Sequence, residues 1–259
     1  FIVAGCIVVL IVTLIAFKKS HAPIKKFDQV RSDFVANASH ELKTPVAGIR
    51  LLSEAIRDAA EIEDKKSLNL FIDRLDNEAE RLQRLVIDLL DLSRLEETPD
   101  PDRCPRTDLH SAIVTSFMAH KGEAEDKHLD LVLDDRSVTG DDCYADMEPS
   151  DASLVFDNLI ENAIMYTDEG SILVTFEPRG HEIAVIVQDT GIGIPQTDQS
   201  RIFERFYRVD KARSREVGGT GLGLSLVRHA VERSKGRVSV KSNPGEGSQF
   251  TVVFPRAKR

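Results

Sequence analysis

The chain has 259 residues, 41% of them hydrophobic and 30% charged, which is long enough for two small domains and apolar enough to give each a core. Its formal net charge of −9 excludes a general nucleic-acid binder, because phosphate contacts need clustered cations. The three cysteines, Cys6, Cys104 and Cys143, lack metal-ligand spacing, and their odd number fits a reducing compartment better than a disulfide framework.

In chain order, the first segment is Phe1 to Phe17, which carries no charge. As a helix it would span roughly 25 Å, the short edge of a membrane crossing. Lys18, Lys19, Lys25 and Lys26 follow at once and predict a cytoplasmic flank under the positive-inside rule. A transmembrane helix is therefore expected over 1–17 and a juxtamembrane linker over 18–27, placing the protein in the inner (plasma) membrane with everything after that helix in the cytoplasm. Because the chain begins with Phe rather than Met, it is expected to be the later part of a longer protein, with a sensor region before it.

A helical pattern then runs from Phe27 to about Ala60, with "EIEDKKS" as a polar turn. The next helix repeats Leu68, Leu75, Leu82 and Leu89 at sevenfold spacing beside Phe71, Leu85 and Leu92, and Glu78 interrupts the second row. Stripes this wide cannot be buried by one antiparallel helical hairpin alone, which predicts a homodimer built as a four-helix bundle over 28–97. Pro45 should loosen the first helix at Glu41, whose carbonyl its ring displaces, unless it starts a new helix.

"ETPDPDRCPR" holds three prolines and marks a linker at 98–106. Helices and strands then alternate over 107–256: a helix near Leu109 to Glu125, a strand near Leu129 to Leu133, and a helix near Ser150 to Tyr166. Strands near Ile172 to Glu177 and Ile183 to Gln188, a helix near Leu222 to Ser234 and strands Arg237 to Ser242 and Gln249 to Phe254 complete the domain. This mixture predicts an α/β sandwich with helices on one face of a mixed sheet.

Three segments of that domain carry chemistry. In "NLIENAIMYT", Asn158 and Asn162 share one helix face, and their amide oxygens are neutral, hard ligands suited to Mg2+. In "QDTGIGIP", Asp189 can accept an exocyclic amine of adenine, while Gly191 and Gly193 allow a side-chain-free turn where a flat base can approach. "GGTGLGL" brings Gly219, Thr220, Gly221, Leu222 and Gly223 to the start of a helix, offering backbone N–H groups to phosphates. It lacks the Lys-Ser or Lys-Thr of a P-loop.

In this order the three segments resemble the nucleotide-binding domain shared by histidine kinases, gyrase-type topoisomerases, Hsp90-type chaperones and mismatch-repair ATPases. The resemblance implies a Bergerat-type fold, ATP with Mg2+, an adenine-side aromatic at Tyr166 and a mobile lid between Pro195 and Thr220. "RIFERFYR", which ends on Arg208, matches the phenylalanine box of the histidine-kinase branch. "FVANASHELKTP" resembles the phospho-accepting box of membrane sensor histidine kinases of two-component systems, with the phosphate-regulon-type sensors as the nearest branch. By that match His40 is phosphorylated, Glu41 acts as acid or base, and Thr44 orients water when a cytoplasmic response regulator, the partner protein, is dephosphorylated.

Residue chemistry points the same way. A neutral imidazole is nucleophilic at cytoplasmic pH, Glu41 can take the proton its other ring nitrogen sheds, and Thr44 shares its helix face. One departure is Met165, where many family members have a lysine that reaches the phosphates. The remaining readings are a silent scaffold, for which Met165 is the only support, and another ATPase of the same fold.

Overall fold

The computed structural model describes residues 34–96, 105–136, 143–210 and 219–257. The segment Phe1 to Phe17, expected to cross a membrane, and the linker after it lie outside them. Among the described residues no helix is long and apolar enough to cross a membrane. Two compact units divide within the second helix, between Leu82 and Gln83.

The first unit is a helical hairpin. Helix α1 covers residues 34–61 and α2 covers Lys65–Glu96. The polar turn between them closes with Glu63 at φ 56°, and the Asp64 carboxylate caps α2 by accepting Ser67 N–H at 3.2 Å and Ser67 Oγ–H at 2.6 Å. Helix α1 continues without a break through Pro45, so this proline is interior and does not begin a new helix. The antiparallel partners meet at buried Arg81, whose guanidinium lies 3.7 Å from Glu41 and 3.6 Å from Glu78. Glu78, the interruption in the apolar row, is thus a counter-charge.

The second unit is the α/β sandwich. Its elements are β1 (Arg106–Asp108), α3 (Leu109–Asp126), β2 (Asp130–Asp134), β3 (Tyr144–Asp146), α4 (Pro149–Met165), β4 (Ser171–Arg179), β5 (Glu182–Asp189), α5 (Gly223–Arg233), β6 (Arg237–Asn243) and β7 (Gly247–Pro255). Five strands form one sheet in the order β2-β4-β5-β7-β6, with β2 and β4 parallel and the other neighbours antiparallel. The expected mixed sheet is therefore present. A separate antiparallel pair, β1 and β3, is absent from the sequence reading because three-residue strands carry too little alternation to register.

Register sets the core. Leu133, Val174, Val187, Phe250 and Val240 form one row across all five strands, with side chains on the same face because the strand period is two. Helix α4 covers that face with Val155, Phe156, Leu159, Ile160 and Ala163, all buried, at the three-and-four spacing of an apolar helix stripe. Phe156 meets Phe254 edge to face at 6.4 Å between centroids. Helix α3 starts at Asp108, whose side chain accepts the N–H groups of His110 and Ser111.

The end of α2 belongs to this unit. Leu92 and Leu95 are buried, Arg94 donates to the buried Asp151 of α4 at 3.1 Å, and Arg233 donates to the Arg94 carbonyl at 3.2 Å. Arg205 pairs with Glu96 at 2.7 Å.

Truncating Phe156 to alanine removes the ring from a site with no solvent exposure. The sandwich should lose about 3–5 kcal/mol of stability, read as a lower denaturant midpoint for its transition.

Candidate functional site

The first group of candidate residues occupies two turns of α1. His40 and Thr44 are exposed and Glu41 is half-buried. The Thr44 hydroxyl donates to the His40 carbonyl at 3.2 Å, which places it one turn from the imidazole's own backbone and leaves its oxygen lone pairs to accept. Glu41 turns toward Arg81, so its carboxylate has a fixed cationic neighbour from α2.

The second group surrounds a cavity of about 370 Å³ in the sandwich unit, within the size range of small-molecule sites. Asn158 and Asn162, from the edge of α4 not buried in the core, both line it. Each commits an amide N–H to the helix: Asn158 Nδ2 donates to Leu154 O at 2.8 Å and Asn162 Nδ2 to Asn158 O at 2.7 Å. Neither bond uses the side-chain carbonyl oxygen, the type of neutral hard donor that Mg2+ takes. Among the described residues no cluster of three His, Cys, Asp or Glu could hold a metal by itself, so a cation here would draw its other ligands from phosphate and water, as Mg2+ commonly does. Met165 and Tyr166, at the end of α4, line the same cavity.

Asp189 closes β5 at the base of the cavity, 6% exposed. Its Oδ1 accepts the N–H of Gly191 at 2.9 Å and of Ser248 at 3.1 Å. Burial pushes this carboxyl above the usual carboxylate range against the pull of those backbone donors. Gly193 also lines the cavity at φ 68°, and a Cβ there would sit 1.9 Å from the Asn243 carbonyl oxygen, so only glycine fits. Gly191 serves through its backbone and is not among the lining residues.

Arg208, Gly219, Thr220, Gly221 and Gly223 complete the wall. Arg208 Nη2 donates to the Thr220 carbonyl at 2.8 Å. Gly223 is pressed against Asn158, whose Oδ1 would be 2.3 Å from a Cβ at that position. Leu222 instead points into the core with no exposure, and its N–H donates to the Thr220 hydroxyl at 3.2 Å. Residues 211–218 of the expected lid lie outside the described residues. Phe203 is buried and Arg228 lies over its ring at 5.6 Å, while Tyr207 lines the cavity and bonds Asp198.

Several lining residues are missing from the sequence reading, Ser248, Arg84 and Asp88 among them. Ser248 reaches the base of the cavity through its N–H to Asp189. Arg84 and Asp88 come from α2, seventy or more residues before Asn158. Arg84 Nη1 is 3.5 Å from Glu161, and Asp88 accepts the Thr220 hydroxyl proton at 2.5 Å. No local motif marks them, because a helix face carries no information about a partner so distant in sequence.

Two family models match. Residues 30–98 fit the His Kinase A (phospho-acceptor) domain, and residues 147–258 fit the histidine kinase-, DNA gyrase B- and HSP90-like ATPase. The sensor-like histidine kinase SenX3 of Mycolicibacterium smegmatis is 38% identical over 234 residues, covering 89% of this chain and 59% of that protein. WalK of Bacillus subtilis is 37% identical over 238 residues, covering 89% of this chain and 38% of that one. The chain thus spans little more than half the length of the SenX3 relatives it matches. Its fold is shared with Acinetobacter baumannii histidine kinase AdeS, at TM-score 0.65 and 24% identity, over 85% of this chain and 98% of that one. It is shared too with histidine kinase ThkA, solved in complex with response regulator protein TrrA, at TM-score 0.70 and 22% identity, over 91% of this chain and 65% of that one.

Two substitutions probe the cavity. Asn162→Ala should weaken nucleotide binding roughly tenfold, about 1.4 kcal/mol, when Mg2+ is present and change it little in chelator, as titration calorimetry would report. Met165→Lys should tighten ATP by about 0.2–1 kcal/mol, with the gain shrinking as salt rises.

Proposed function

We propose that the chain is the catalytic core of a sensor histidine kinase, which phosphorylates itself on His40 from ATP and passes the phosphoryl group to an aspartate of a response regulator. The observation that carries this is the pairing, within one chain, of an exposed histidine on a hairpin helix with a nucleotide-sized cavity walled by Asn158, Asn162, Asp189 and the glycine segment.

The chain's own groups have separable tasks. The Asp189 carboxylate accepts the adenine amine, Gly193 lets the base approach the backbone, and the glycine segment with Arg208 holds phosphates. Asn158 and Asn162 would hold Mg2+, which offsets negative charge on the triphosphate when bound. A ring nitrogen of His40 attacks the γ-phosphorus, forming an N–P bond as the P–O bond to the β-phosphate breaks and ADP leaves. The proton on the other ring nitrogen passes to the Glu41 carboxylate, which Arg81 holds in place. In the second reaction an aspartate oxygen of the regulator attacks the same phosphorus and His40 is regenerated.

Several finer features belong to the same reading. Exposed Val46, Leu51, Leu70, Ile72 and Leu90 leave the hairpin with apolar surface that a second copy would cover in a four-helix bundle. The uncharged Phe1 to Phe17 followed by four lysines supports a place at the inner membrane with the catalytic units on the cytoplasmic side. Thr44, exposed beside His40, supports a phosphatase role in which its hydroxyl holds a water in line with the regulator's phosphoryl group.

Incubation with γ-labelled ATP is the direct test. Acid-labile label should appear on the chain and vanish in His40→Gln, while ATP affinity stays within about twofold because the substitution lies in the other unit; label retained by the variant would refute the assignment. Thr44→Ala should keep near-normal labelling and slow the decay of pre-phosphorylated regulator about tenfold or more. Equal decay rates would make Thr44 structural.

A further inference from the structure

The glycine segment that should meet nucleotide phosphates is already in contact with an anion. Asp88, on α2, accepts the proton of the Thr220 hydroxyl at 2.5 Å. The same hydroxyl oxygen accepts the N–H of Leu222, the residue that caps α5. The carboxylate is therefore tied to the start of an eleven-residue helix, where backbone N–H groups and the helix dipole favour negative charge. A phosphate oxygen would seek the same place for the same reason.

The surroundings make this an uneasy position for a charge. Burial is the main influence that raises Asp88, Glu161 of α4 and Asp91 of its own helix add to it, and the Thr220 bond and Arg84 oppose it; the carboxyl is pushed up to about 6. A carboxylate held at this cost has a partner to lose and little reason to stay once a competing anion arrives.

Resting on the nucleotide reading above, we infer that Asp88 is an internal stand-in for nucleotide phosphate: it holds the Thr220 hydroxyl, and an entering ATP must displace it. Nucleotide affinity is then set in part by a residue of the second hairpin helix, and α2 registers whether the cavity is filled. Because that helix continues into the hairpin that carries Glu41's partner Arg81, occupancy at the cavity changes the bonds made by a helix common to both compact units.

The test is equilibrium binding of a fluorescent ATP analogue with Mg2+ to the whole chain at pH 8. Asp88→Ala should bind about threefold to tenfold tighter than the parent, as expected when a competing closed state is removed. Asp88→Asn should fall between them, since its amide oxygen still accepts from Thr220 but carries no charge; being nearly isosteric, it also decides the matter if alanine disturbs the helix. Asp91→Asn, a neighbouring charge with no bond to Thr220, should stay within about twofold of the parent.

The sign of the pH effect follows from Asp88 being ionised above about 6 and neutral below. The ratio of parent to Asp88→Asn dissociation constants, in which the nucleotide's own titration cancels, should be largest at pH 8 and approach one near pH 5. Unchanged or weaker binding by folded Asp88→Ala and Asp88→Asn would overturn the inference, as would an equal gain in Asp91→Asn, which would reduce the effect to general charge. A parent that binds no analogue, with Asn162→Ala no different, would instead overturn the nucleotide reading beneath it.

Discussion

One buried carboxylate must be satisfied before the cavity can exist. Asp189 sits at the end of a central strand with almost no access to water, where an ionised group without donors is severely penalised. Its donors are the N–H of Gly191, in the turn after β5, and the N–H of Ser248, at the start of β7. Those two bonds therefore pin a loop and a strand of different hairpins to one oxygen. Around that point the backbone is packed too tightly for side chains: Gly193 lies against the Asn243 carbonyl, and Gly247 against that of Asp189 itself. Ile192 N–H bonds back to the Tyr166 carbonyl at the end of α4. The wall opposite the asparagines is thus a consequence of feeding hydrogen bonds to a single group.

The asparagines obey a related economy. A helix-edge amide could turn either end toward the cavity, but both Asn158 and Asn162 donate to a carbonyl one turn earlier, which orders the side chain and leaves an acceptor over. Gly223 then allows the glycine segment to come within contact of Asn158. The two asparagines, Asp189 and the glycine segment are brought to one cavity by packing of α4 against α5 and by the register of β5 with β7.

The hairpin uses charge differently. Arg81 is buried between Glu41 and Glu78, and a buried cation with counter-charges on both sides adds less to stability than to specificity of arrangement. Here the arrangement orients the Glu41 carboxylate, whose residue is next to His40 in the chain. At its other end α2 enters the sandwich, where Arg94, Asp151 and Arg233 form a second partly buried charge cluster. Burial raises Asp151, and Arg233 and Arg94 pull it back, so this carboxylate stays tolerable only while both arginines are in place.

Amino-acid order alone determined the helices, the five long strands and the motif residues, because each depends on short-range periodicity or on spacing within one turn. Leu109–Asp126, Pro149–Met165 and Glu182–Asp189 lie within a residue or two of where their patterns put them, and "NLIENAIMYT" is legible because i and i+4 share a helix face. Tertiary structure alone decided that Glu41 meets a cation from α2, that Leu222 belongs to the core and not to the cavity wall, and that Arg84 and Asp88 reach the cavity. The three-residue strands β1 and β3 exist only as each other's partner. For Glu41, Arg84, Asp88 and the β1–β3 pair the deciding contact joins residues far apart in the chain, and the energy of such a contact resides in neither partner's local sequence.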